Sequence, residues 1–121
     1  MFNFFKNKKS KTEHLSTSME TGGRLVLDAY KIPNEIIVQS TIAGIDSKNL
    51  EIFFGGNILT VQGLRHRHEN IPEEDFYYQE CYFGSFSRSV KIPGNIDPKK
   101  ISASLENGIL TIKLPLKNSN S

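Results

Sequence analysis

The chain has 121 residues, of which 37% are apolar and 23% charged, with a formal net charge of +2 and a single cysteine. That is room for one compact domain of the common size of about 100 to 150 residues, and a charge so close to balance is no argument for nucleic acid as a partner. One thiol excludes an intrachain disulfide and leads to the expectation of a cytoplasmic protein.

Residues 1–24 are polar, rich in Ser, Thr and Lys, without a sustained hydrophobic period, and close on Gly22-Gly23. They read as a flexible N-terminal arm. Five positive charges (Lys6, Lys8, Lys9, Lys11 and Arg24) stand against Glu13 and Glu20. At its head, Phe2, Phe4 and Phe5 precede the lysines, the reverse of a secretory signal, which needs its basic residues first and then about 7 to 15 apolar ones. Three readings of these rings stand side by side. They pack on the domain edge without a further role, they capture apolar surface on other proteins, or they anchor weakly to a membrane surface with help from the lysines.

From Leu25 onward the residues alternate as in strands. Leu25, Leu27 and Ala29 alternate with Val26, Asp28 and Tyr30, and residues 36–42 are a β-branched run. Leu50, Ile52 and Phe54 form the next alternating set, Gly55-Gly56-Asn57 predicts a hairpin turn, and Leu59 and Val61 continue beyond it. Residues 65–75 turn to charge and a proline, which predicts a long exposed loop. The aromatic stretch 76–83 has strand composition but stands apart from the pattern. Residues 85–92 predict a strand with Phe86, Arg88, Val90 and Ile92 on one face. A guanidinium on an apolar face is either paired or runs out to solvent along the sheet edge. Ile101, Ala103 and Leu105 lead into Asn107-Gly108, a pair suited to a type I′ hairpin, and Leu110, Ile112 and Leu114 share a face of the strand that Pro115 ends. Short strands with turns at near-regular spacing predict an all-β, immunoglobulin-like antiparallel β-sandwich over residues 25–115, with a short tail at 116–121.

The wording around the last hairpin is more specific than its geometry. Ala103, Leu105, Asn107, Gly108, Ile109 and Leu110, followed by Leu114-Pro115, resemble the signature near the end of the α-crystallin domain of small heat-shock proteins. Gly84-Ser85-Phe86-Ser87-Arg88 through Ile92-Pro93, and Ala43-Gly44-Ile45 with Leu50-Glu51-Ile52, are similar to two further motifs of that family, in the same order. The resemblance implies that residues 76–82 leave their own subunit and pair with residues 25–31 of a second. The implied dimer interface is Phe76, Tyr78, Glu80, Tyr82, Arg88, Leu25 and Leu27, with Glu80 the carboxylate expected for Arg88. It also implies a groove, here at Leu50, Ile52, Phe54, Ile101, Ala103 and Leu105, that receives an Ile-x-Ile type tail motif in larger assemblies. This chain departs there. Leu114-Pro115-Leu116 has the spacing but follows the last strand too closely to reach a neighbour.

Catalytic and metal chemistry find little support. His66, His68 and Glu69 are the one metal-like cluster, and a structural zinc needs about four ligands. A Cys81 nucleophile would need a neighbouring base and a depressed pKa, and among aromatics on a pairing strand a packing role is expected instead; no phosphate-binding glycine loop is present. No enzyme, cofactor or metal is expected. The expected function is an ATP-independent holdase that binds partly unfolded proteins, with Phe2, Phe4 and Phe5 as client contacts. The alternatives are a monomeric co-chaperone-like module and a membrane-surface stabiliser.

Overall fold

Asn107 and Gly108 sit at φ 54° and 77°, the left-handed pair of a type I′ turn. They set the register of two strands so that Glu106 faces Ile109 and Ala103 faces Ile112. Gly56 and Asn57, at φ 58° and 60°, do the same where Gly55 faces Ile58. The computed structural model describes residues 25–117. Along them run β1 (Asp28–Ile32), β2 (Glu35–Thr41), β3 (Leu50–Gly55), β4 (Ile58–Arg65), β5 (Gly84–Lys91), β6 (Ser102–Glu106) and β7 (Ile109–Pro115).

These strands make two antiparallel sheets, ordered β1-β2-β7-β6 and β3-β4-β5. Alternation decides what lies between them. Leu50, Ile52 and Phe54 on β3, Leu59 and Val61 on β4, Ile36 and Val38 on β2, and Leu110, Ile112 and Leu114 on β7 are all buried in one core. The intervening residues of β3 and β7 are half-buried or exposed, as a sheet with one covered face requires. The predicted sandwich is therefore the observed one.

Two residues shape the β3-β4-β5 sheet at points that periodicity does not mark. Asn57 donates from Nδ2 to the carbonyls of Ile92 at 2.8 Å and Gly94 at 2.7 Å, and its own carbonyl accepts from the Ile92 N–H at 2.8 Å. The β3–β4 turn is thus bolted to the exit of β5. Gly63, on β4 between Leu50 and Phe86, leaves the space that the Phe86 ring occupies. A Cβ there would stand 2.8 Å from Phe86 Cζ and 2.7 Å from the Asn49 carbonyl oxygen.

The structure differs from the sequence reading in where the first strand begins. The first strand starts at Asp28, not at Leu25. The buried Ser40 hydroxyl takes the Val26 carbonyl at 2.6 Å, a side-chain bond in place of a ladder bond. Residues 76–83 form no strand, and none of the described strands pairs with them. Strand composition alone does not make a strand, because its N–H and C=O groups need a neighbouring edge.

Past Pro115 the chain stays bonded to the domain. Leu116 N–H donates to Asn34 at 2.9 Å, Lys117 N–H to Asn95 at 2.8 Å, and the Pro115 carbonyl accepts from Asp97 N–H at 2.9 Å. Leu114 is in the core, and Leu116 packs against it. Residues 114–116 are thus held by their own domain.

Candidate functional site

The least satisfied surface of the described domain is the margin formed by β1 and β5. β1 has β2 as its one neighbour, and all five of its residues are exposed. Its second edge is a row of backbone donors and acceptors open to another strand. β5 is likewise the outer strand of its sheet. Between the two lies a slot of about 540 Å³ floored by Leu27, Ala29, Ile36, Val90, Ile92 and Leu116, with Lys31 and Lys91 also lining it. Inward-facing residues of β1 that would close a sandwich instead border open space.

Arg88 stands on β5 beside this margin, half-buried, and its Nη1 donates to the Leu25 carbonyl at 2.7 Å. The arginine ties the residues that lead into β1 to the opposite sheet. Leu25 is buried and Leu27 half-buried, so both face the domain. Glu80 is exposed, within the segment that belongs to no strand.

That segment is the second feature. Tyr77 and Tyr78 are 96% and 83% exposed, and Tyr82 and Phe83 are also open to solvent. That is a large aromatic surface to leave outside the core of a domain of this size. Its roots are held by two arginines that sequence reasoning did not single out. Arg65 donates from Nε to the Ala43 carbonyl at 2.8 Å and from Nη1 to the Tyr82 carbonyl at 3.4 Å, and lies 5.7 Å from the Phe86 ring centroid. The Arg67 guanidinium lies 4.1 Å from the Phe83 centroid and 5.4 Å from that of Phe76. Two arginines flanked by phenylalanines were legible as residue types, but no period places them together.

The groove residues lie at the other margin, on the edge strands β3 and β6 and, for Ile101, just before β6. Leu50, Ile52, Phe54, Ile101 and Ala103 are buried in the core, and Leu105 is half-buried against it. Phe2, Phe4 and Phe5 lie outside the described residues. The His66 and His68 rings are 5.5 Å apart, and no group of three or more metal-ligating side chains occurs among the described residues. Cys81 is exposed. No helix among the described residues is long and apolar enough to cross a membrane.

Comparison with known proteins bears on this two-sheet frame directly. A profile described as the Hsp20/alpha crystallin family matches residues 28–121. The chain belongs to the Hsp20/alpha crystallin family. The matched region takes in every strand, the slot and the aromatic segment. Small heat shock protein C4 of Rickettsia felis is 31% identical over 90 residues, covering 74% of this chain and 55% of that protein. Spore protein SP21 of Stigmatella aurantiaca is 38% identical over 79 residues, covering 65% and 47%. A small heat-shock protein from Xylella fastidiosa, described as having a distinct high order structure, superposes with a TM-score of 0.74 at 27% identity, covering 84% of this chain and 93% of that one. The chain spans about half the length of these two curated Hsp20/alpha crystallin relatives.

Proposed function

We propose that this chain is an ATP-independent holdase of the small heat-shock type, not an enzyme, which binds partly unfolded proteins and limits their aggregation. The observation that carries the reading is the family match across the whole described sandwich. The physics asks for no more than apolar surface held at the rim of a stable domain. Burial of apolar area contributes roughly 25 cal/mol per Å², and binding an unfolded chain lowers its free concentration and hence its aggregation. Phe2, Phe4 and Phe5 on a polar arm of residues 1–24 are the proposed client contacts, and residues 25–115 the scaffold that carries them.

We further propose a homodimer in which residues 76–82 of each subunit add to the β1 edge of the other. The exposed edge of β1 and the exposed aromatic segment support this, because each supplies what the other lacks. A guanidinium carries five N–H donors in a fixed fork, so Arg88 can hold the Leu25 carbonyl together with Glu80 of the arriving strand. Larger assemblies would form through the β3 and β6 margin. The location fitting this role is the cytoplasm, and no nucleic acid or cofactor is called for.

The test joins mass to activity. Light scattering over a concentration series should give twice the subunit mass. A heat-labile client mixed with the protein in the absence of nucleotide should aggregate less in proportion to added protein. Unchanged client aggregation at a several-fold excess of folded protein would refute the holdase.

A further inference from the structure

We infer that Arg67 is a latch: it holds the aromatic segment folded in the free subunit, and one of its two ring contacts has to open before residues 76–82 can straighten into an exchanged strand. This rests on the exchanged-strand dimer proposed above and adds what opposes its formation.

Arg67 Cζ lies 5.4 Å from the Phe76 ring centroid and 4.1 Å from that of Phe83, so the two centroids are at most about 9.5 Å apart, the sum of the two distances. In an extended chain at roughly 3.3 Å per residue, the Cα atoms of residues 76 and 83 stand about 23 Å apart. They are also an odd number of positions apart, so their rings point to opposite faces. Side chains stand roughly perpendicular to a strand and do not shorten that gap. One guanidinium cannot hold both rings of an extended segment.

The contact to Phe83 is the one that stays. Phe83 directly precedes Gly84, which faces Arg65 at the end of the β4–β5 ladder, and it lies outside residues 76–82, so straightening that segment leaves the ring beside the end of the ladder. The contact to Phe76 is the one that opens. Tyr82 is folded back in the same sense, with its hydroxyl donating to the Ser85 carbonyl and its own carbonyl accepting from Arg65. The segment as it stands is compact at both ends, with Tyr77 and Tyr78 thrown outward between them.

The consequence is a dimer weakened by one partly exposed cation–π contact in each subunit. Arg67→Gln removes the charge and keeps a polar side chain, at a half-buried loop position outside the core. Two measurements are made on full-length protein: the dimer dissociation constant by sedimentation over a dilution series, and amide hydrogen exchange of residues 76–83 in dilute, monomeric samples. Losing a partly exposed contact of this kind should speed exchange of the segment about two- to fivefold and, because each subunit opens one, lower the dissociation constant by about the square of that, roughly 4- to 25-fold. Arg67→Lys, which keeps the cation, should lie between. A dissociation constant unchanged or raised, or exchange no faster than in the parent, overturns the latch while leaving the dimer intact. A protein that stays monomeric at every concentration overturns the exchanged strand, and with it any role for Arg67 against it.

Discussion

Three single residues carry more of this fold than their neighbours, each for a different reason. Gly63 is needed for space. A methyl group there meets a backbone carbonyl at 2.7 Å and a core ring at 2.8 Å, neither of which is the free end of a flexible chain. Gly63→Ala should destabilise the domain by about 1 to 3 kcal/mol, the usual cost of overpacking, and thermal unfolding reads it directly. Asn57 is needed for conformation and for bonds at once, holding φ 60° and two carbonyls. Asn57→Gly keeps the backbone and loses the bonds, whereas Asn57→Ala loses both. The alanine variant should melt lower than the glycine variant by several degrees, since about 1 kcal/mol moves the midpoint of a domain this size by about 4 to 8 °C. Equal midpoints would show that the left-handed turn carries no strain. Arg88 is needed for the seam between the sheets. Its bond to Leu25 joins a charged donor to a neutral acceptor, a class worth about 1.5 to 3 kcal/mol. Arg88→Ala should lose that much in denaturant unfolding and weaken the dimer with it.

At the scale of elements, pairing decides everything that propensity leaves open. Residues 76–82 have the aromatic content of a strand and form none within the described chain, so a change there separates the exchanged strand from the domain's own stability. A proline at position 79 removes a ladder donor in the middle of the segment. Gln79→Pro should therefore raise the dimer dissociation constant at least tenfold while the melting temperature of the isolated subunit stays within a degree or two. A tight dimer in that variant would place the interface elsewhere. The same contrast explains what could be read from the residues alone. Two-residue alternation found β3 and β7 with their buried positions correct, and Gly-Asn and Asn-Gly pairs found the β3–β4 and β6–β7 hairpins, because these signals are local. The start of β1 was misplaced because a serine far along the chain, Ser40, takes the Val26 carbonyl. The Arg67 contacts and the slot between β1 and β5 left no trace in any period, since they arise where loop and edge meet in space.

For the molecule as a whole, the question is how a few rings could hold a client. Fully burying one phenylalanine contributes roughly 1.5 to 3 kcal/mol, so three of them on one arm reach about 4 to 9 kcal/mol before any cost. Association costs an estimated 4 kcal/mol or more in lost freedom. One such arm would be a weak binder, and in the proposed holdase holding would come from several arms joined on one scaffold, where linkage can raise avidity by about 10² to 10⁴. Two variants separate the contributions. Removal of residues 1–24 should leave a folded dimer that protects poorly in the nucleotide-free aggregation assay. Gln79→Pro, with the arm intact but the subunits parted, should protect less than half as well at equal subunit concentration, because each arm then acts alone. Equal protection per subunit in the two states would make the arms independent and remove the dimer from the holding step; full protection without residues 1–24 would move client contact to the aromatic segment and the β1 margin.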